Sequence, residues 1–206
     1  MYTPRSFVEE RPERLHDFIE HNSFGILVTA GNGIVASHLP FLLDRDSGPH
    51  GQLTSHMAKA NPQWRELDSC EVLTIFHGPH AYISPTWYQA GNTVPTWNYV
   101  AVHATGTLRV TEAPEQLRDI VRCSVDTHEA HMPTPWSMDS VDDAFIDQLL
   151  KSIVGFTIEI TRLEGKWKLN QNHNVERRER VIDALQIRGS DTECEIARLM
   201  QERLDK

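Results

Sequence analysis

The chain has 206 residues, of which 39% are hydrophobic and 24% charged, a balance that supports a buried core and excludes the polar, aromatic-poor composition of a disordered chain. That length fits one domain with appended helices. The formal net charge of -9 repels nucleic-acid phosphates, so any sequence-independent attraction to DNA would have to come from a local basic patch.

The longest apolar runs, such as Phe24 to Ala30 and Val100 to Val102, fall short of the roughly 20 residues needed to cross a bilayer, so no membrane association is expected. Met1-Tyr2-Thr3-Pro4-Arg5 leads into charged residues without an apolar h-region. The cytoplasm is therefore the expected location. Cys70, Cys123 and Cys194 are odd in number and far apart, which suits neither a disulfide framework nor a CxxC metal site. Free, buried thiols are expected.

Pro12 followed by Leu15, Phe18 and Ile19 has helical spacing with Pro in the first turn, and predicts a helix to about Asn22. Phe24 to Ala30, the turn Gly31-Asn32-Gly33 and Ile34 to Leu43 read as a β-hairpin, because Asn-Gly tolerates positive φ. A loop from Asp44 to Gly51 precedes a strand at Gln52 to His56, and Asn61-Pro62 opens a short helix through Trp64 and Leu67. Val72 to Phe76 and Ala81 to Ser84 are β-rich and separated by Gly78-Pro79, which predicts a turn or bulge and a second hairpin.

The longest strand signal runs from Thr96 to Thr111, with Val102, Ala104, Gly106, Leu108 and Val110 on one face and His103, Thr105, Thr107 and Arg109 on the other. Pro114 to about Thr127 and Asp139 to Ile153 have helical spacing, the second through Val141, Phe145, Ile146 and Leu149. Val154 to Thr161 alternates as a half-buried strand, and Gly165 is expected to turn the chain into Lys166 to Leu169. Glu176 to Leu185 and Thr192 to Leu204 form a charged helical tail broken at Gly189-Ser190.

The expected fold is α+β: an antiparallel split β-barrel of about six to eight strands with peripheral helices. Residues 1–175 would form the barrel domain and 176–206 a helical C-terminal extension. No GxGxxG or GxxxxGK[ST] occurs, which disfavours a Rossmann fold.

Three segments are dense in polar and aromatic residues: Ser55 to Trp64, His77 to Tyr88, and Val94 to His103. A planar ligand bearing a phosphate needs cationic or backbone donors at one end and flat aromatic walls at the other, and these segments supply both. Ser55, His56 and Lys59 sit where a strand hands over to a helical turn, so hydroxyl, imidazole and ammonium donors could converge on an anion. The plainer reading makes Lys59 a solvated surface charge.

Several runs resemble the signature segments of the PaiB family of FMN-binding negative transcriptional regulators. They are His56-Met57-Ala58-Lys59-Ala60-Asn61-Pro62-Gln63-Trp64, Gly78 to Pro85 with Trp87-Tyr88, Val94-Pro95-Thr96-Trp97-Asn98-Tyr99, Val102 to Gly106 and Lys168-Leu169-Asn170-Gln171-Asn172, together with the opening Met1 to Pro4. The likeness covers nearly the whole chain in the same order. It implies a split-barrel homodimer, related in architecture to pyridoxamine-phosphate-oxidase-like flavoproteins, with FMN at the subunit interface.

In that scheme Ser55, His56 and Lys59 hold the phosphate, with Asn61 in the same signature run. His38 with Leu39 and Pro40 edges the flavin, and Trp97, Asn98 and Tyr99 wall the pocket. His103 faces along the same strand, and Gln171 and Asn172 reach in from the other subunit. The sequence departs from the family pattern at Lys59, where a point charge replaces the bidentate fork of Arg. It departs again at Asn170 and His173, which stand in place of Ser and Arg.

The resemblance leaves three functions in play: a regulator reaching transcription through DNA or a regulatory protein partner, an FMN-dependent oxidoreductase acting on a small molecule, and a haem-binding split barrel in which His103 offers an axial nitrogen. His77 and His80, like His128 and His131, lack the HExxH pattern and a nearby carboxylate or Cys at metal spacing, so no metal is expected. Arg177, Arg178 and Arg180 are interrupted by Glu176 and Glu179, which favours a solvated helix face over a DNA contact.

Overall fold

The computed structural model of the chain describes residues 1–31, 33–65 and 67–204. Among these residues eight strands are present: β1 (Val8–Glu9), β2 (Phe24–Gly31), β3 (Gly33–Pro40), β4 (Leu42–Asp44), β5 (Gln52–Ala58), β6 (Glu71–Ile83), β7 (Thr96–Thr111) and β8 (Ile153–Lys168). Five α-helices accompany them: α1 (Pro12–His21), α2 (Pro114–Glu129), α3 (Asp143–Leu150), α4 (Val175–Arg188) and α5 (Asp191–Gln201). The sheet runs β3-β2-β6-β7-β8-β5-β4 with β1 paired to β8. It is antiparallel and does not close.

The chain forms two compact units. The first comprises Met1–Phe18, His77–His103 and Glu164–Lys206, and the second Ile19–Phe76 and Ala104–Leu163.

In the second unit, β2 and β3 pair from Phe24↔Pro40 to Gly31↔Gly33. Gly33 has φ 129°, a conformation that L side chains avoid. Asn32 of the predicted turn lies outside the described residues. The core is aromatic: Phe41 packs edge-on to Phe76 at 5.7 Å and to Phe156 at 6.3 Å between ring centroids. β7 approaches β8 so closely that a Cβ on Gly106 would lie 2.3 Å from the Glu159 carbonyl oxygen, so no other residue fits there. Leu117 of α2 packs with Ile146 and Leu150 of α3.

Asp142 caps α3 by accepting from the Ala144 and Phe145 amides at 2.8 and 3.2 Å. The helix predicted from Asp139 therefore begins at Asp143, after a separate 3-10 turn at Met138–Ser140. Of its expected stripe Ile146 faces inward, joined by Leu150, whereas Phe145 and Leu149 are exposed.

In the first unit, Trp167 is buried against the edge of Phe18, with centroids 5.3 Å apart. Gly165 is not a turn. It lies inside β8, where a Cβ would fall 2.3 Å from Leu15 Cδ2 and 2.8 Å from the Glu9 carbonyl oxygen. A bare backbone there lets β1 and the first turns of α1 pack onto the strand. Helices α4 and α5 are separated by Gly189 at φ 73°, the left-handed cap expected of a helix-ending glycine. Arg178, expected on a solvated face, is buried and donates to the Met200 carbonyl at 3.5 Å near the end of α5.

The second hairpin predicted at Gly78-Pro79 is absent, because β6 continues through both residues. Its pairing with β2 covers Leu73 to Ile75 and stops before Pro79, whose missing N–H therefore breaks no bond on that side. Burial alternates at Val72, Thr74 and Phe76, then resumes out of phase at Ala81 and Ile83. The alternation of inward and outward residues thus slips across Gly78-Pro79. The slip places His77, His80 and Tyr82 together on the exposed side. None of the three cysteines is in a disulfide, and they are not buried as expected: Cys123 on α2 and Cys194 on α5 are exposed and Cys70 is half-buried. Among the described residues no helix is long and apolar enough to cross a membrane.

Candidate functional site

Consecutive residues of a strand face opposite ways, and β5 shows what that does to a run of polar side chains. Leu53, Ser55 and Met57 point into the core of the second unit, and Thr54 and His56 point outward. Ser55 Oγ donates to the Pro40 carbonyl at 2.6 Å, so its hydroxyl is committed to the fold. His56 is half-buried, and burial pushes its imidazole below the ordinary value, favouring a neutral ring that still carries one N–H. Ser55 and His56 are thus not brought to one face.

Lys59 follows the strand, and its amide donates to the Ser152 carbonyl at 2.8 Å. Its ammonium forms an ion pair with Glu112, the two side chains 45% and 48% exposed. The pair lines a cavity of about 400 Å³ whose wall includes Pro114, Leu117, Leu150 and Ile153. Asn61 has two jobs already. Its Oδ1 accepts the Gln63 amide at 3.0 Å, capping the turn Pro62–Trp64, and its Nδ2 donates to Ser37 Oγ at 2.9 Å. His38 on β3 is exposed, its ring 6.3 Å from Phe24.

In the first unit, Trp97 is 53% exposed and flanked by Tyr82 at 5.8 Å and His80 at 6.2 Å, with His77 a further 5.0 Å from His80. These four rings make an aromatic shelf open to solvent. Burial and the neighbouring His80 push the His77 imidazole down. Tyr99 stands two residues along β7 on the same side as Trp97, its ring 5.1 Å from Lys166 Nζ. Asn98 between them faces the other way and is wholly buried, its Nδ2 3.3 Å from Met200 Sδ. His103 is half-buried farther along the strand.

Gln171 folds back on its own chain, donating to the Trp167 carbonyl and accepting the Leu169 amide at 2.7 Å, whereas Asn172 is exposed. Asn170 adopts φ 61°, a conformation Asn tolerates better than most residues, and donates to Tyr88 Oη at 3.1 Å. His173 packs on the same tyrosine at 5.0 Å. The two departures from the family pattern are therefore matched to Tyr88.

His77, His80 and Tyr82 lie in the segment His77 to Tyr88 singled out in the sequence, but no flavin role was assigned to them individually, and Glu112 was not singled out. The change of phase that gathers the first three has a signal in Gly78-Pro79, but the Glu112 contact crosses from the end of β7 to the end of β5 and has none.

The first unit offers flat aromatic faces with the imidazoles of His77 and His80 beside them, and the second offers Lys59 and His56 near its surface. A phosphorylated planar ring calls for both kinds of group. An open antiparallel sheet with peripheral helices and these groups defines the class of split-barrel flavin-binding folds. Solved structures with this architecture include the flavocytochrome Anf3 from Azotobacter vinelandii, with TM-score 0.59, 12% identity and coverage of 81% of this chain and 72% of that one. The FAD and heme binding protein from Mycobacterium smegmatis gives TM-score 0.57 and 14% identity, covering 84% and 78%. At such identities the likeness concerns the fold alone.

The chain belongs to the family described as "Putative FMN-binding domain", whose pattern matches residues 1–162. FMN is thus the cofactor of the family, as expected from the sequence. Among its relatives is the Bacillus subtilis (strain 168) protein named "Protease synthase and sporulation protein PAI 2", 38% identical over 208 residues and covering 100% of this chain and 99% of that protein. This bears out the PaiB-type resemblance. An Emericella nidulans protein, AN0679, is 31% identical over 98% of this chain and 97% of its own length.

Proposed function

We propose that this chain is an FMN-binding negative transcriptional regulator that acts as a cytoplasmic homodimer. The observation that carries the reading is the match along the full length to the sporulation protein PAI 2. Lys59 and His56 would offer a charge and an N–H to the FMN phosphate, and Trp97 and Tyr99 would offer ring faces to the isoalloxazine. In the homodimer each protomer brings one of these parts to an FMN held at the subunit interface, with Gln171 and Asn172 contributed by the partner. Ser55, Asn61 and Asn98 support these groups from within the fold, and His38 and His103 border them.

Bound FMN supplies one- and two-electron redox chemistry. The protein's part is to hold it, orient it and limit its exposure to water. The net charge of -9 opposes a diffuse attraction to DNA, so the regulatory output runs through a protein partner or a small local contact.

Sedimentation of purified protein with and without FMN tests the assembly, for which a dimer is expected and a monomer at all concentrations contradicts the proposal. Transcript levels in cells lacking the chain, complemented with wild type or with Trp97→Ala, test the output. Wild type restores repression and the variant does not. Equal restoration by both would separate regulation from FMN.

A further inference from the structure

Lys166 and Lys168 stand two residues apart on β8 and project from the same face of the strand. Lys166 is only 8% exposed. Its ammonium donates to the Tyr2 carbonyl at 3.0 Å and lies 5.1 Å from the centroid of the Tyr99 ring and 5.8 Å from that of Tyr2. Lys168 Nζ donates to Thr96 Oγ1 at 2.6 Å, one residue before the exposed Trp97. All six residues belong to the first unit.

Among the described residues neither ammonium has a carboxylate partner. Glu164, on the same strand, is engaged by the amino group of Met1 at 2.9 Å. This is not for want of acids, since the chain has 29 Asp and Glu against 20 Lys and Arg. A carbonyl, a hydroxyl and two aromatic faces satisfy N–H donors but leave two positive charges unneutralised. Burial and the charge of Lys166 together push the Lys168 ammonium below its ordinary value. Two sheltered cations that repel one another persist most readily where an anion joins them.

We propose that Lys166 and Lys168 form an oxyanion site in the first unit that takes the phosphate monoester of a small ligand whose planar body rests on Trp97. The phosphate comes either from FMN itself or from a second phosphorylated molecule. The planar body rests on the flavin reading, whereas the anion site rests on the two lysines alone. Lys59 belongs to the second unit and is not one of the residues of this site. A purely structural role, tying β8 to Tyr2 and Thr96, would leave anion binding untouched by loss of the Lys168 charge.

The test is calorimetric titration of inorganic phosphate at matched ionic strength against chloride, in a Lys59→Ala background so that Lys59 contributes nothing. Lys168→Met is expected to weaken phosphate binding about tenfold or more, as loss of a charge-assisted hydrogen bond does, and Lys168→Arg to keep it within about threefold. Lys168 is partly exposed, so both variants should fold, which circular dichroism checks. No phosphate binding above chloride, or equal binding by Lys168→Met and its parent, overturns the site.

Titration of FMN and riboflavin, with Lys59 intact, identifies the source. A fall in FMN affinity with riboflavin unchanged assigns the site to the FMN phosphate, and no change in either assigns it to a second molecule. If wild type binds neither flavin, the flavin reading fails while the phosphate comparison still decides the site.

Discussion

Two ion pairs, one in each compact unit, put the same chemistry to different uses. In the first unit Glu9 is 4% exposed and accepts from Arg11 Nε at 2.8 Å and Nη2 at 2.7 Å, with Arg203 at 2.5 Å and Arg14 at 3.7 Å. Burial alone would raise its carboxyl, but hydrogen bonds from Arg11 and the charge of Arg203 hold it at about 2. In the second unit Lys59 and Glu112 meet near the surface with about half of each side chain in water. A buried carboxylate held by several guanidinium groups belongs to the fold, because removing it strands their charges. An exposed pair adds little to stability and can exchange its carboxylate for a ligand anion.

The sharpest way to break this comparison is Glu9→Ala, expected to lower the unfolding free energy by about 3–5 kcal/mol in urea titration, since it leaves guanidinium groups without their carboxylate. A loss below about 1 kcal/mol would place Glu9 with the surface pairs. The pH dependence follows from the same group. Its carboxyl titrates at about 2 when folded and at the ordinary 4.5 when unfolded. The contribution is therefore fully present above 4.5 and is lost as pH falls through that window towards 2. Acid unfolding of Glu9→Ala should lack this component.

A neutral counterpart in the second unit is Gln63, whose Nε2 donates to the Leu27 and Val35 carbonyls at 3.2 and 3.3 Å and to Thr29 Oγ1 at 3.2 Å. Gln63→Leu strands these acceptors and should cost about 1–3 kcal/mol by the same assay. Lys59→Ala should weaken FMN binding by about 1–3 kcal/mol while changing unfolding by less than about 1 kcal/mol. A large stability loss with unchanged affinity would reverse the role assigned to it. The smallest effect is that of Glu112→Gln, expected to move unfolding by about 0–1 kcal/mol.

What could be read from the sequence follows from how local each signal is. The bounds of β7 were legible from a strand signal that alternates from Val102 to Val110, and α1 and the α4–α5 break were legible from Pro12 and Gly189. Gly78 and Gly165 misled because glycine marks both turns and close approaches. A Cβ on Gly78 would lie 2.6 Å from the Phe18 ring, a partner some sixty residues away that no local pattern reveals. The family and its cofactor were legible in runs such as His56 to Trp64.

The use of each polar group was less so. Ser55, Asn61 and Gln171 looked available for a ligand, yet Pro40, Ser37 and Trp167 engage them in the folded chain. The alternation of β5 already implied that Ser55 and His56 face apart.

The central claim is that the chain binds FMN through both its phosphate and its ring. Fluorescence titration of flavin-free protein with FMN and with riboflavin tests it most directly. Saturable quenching by FMN, with riboflavin binding at least about tenfold more weakly for want of a phosphate partner, is the result predicted. Equal affinity for the two, or no quenching by FMN, would contradict it.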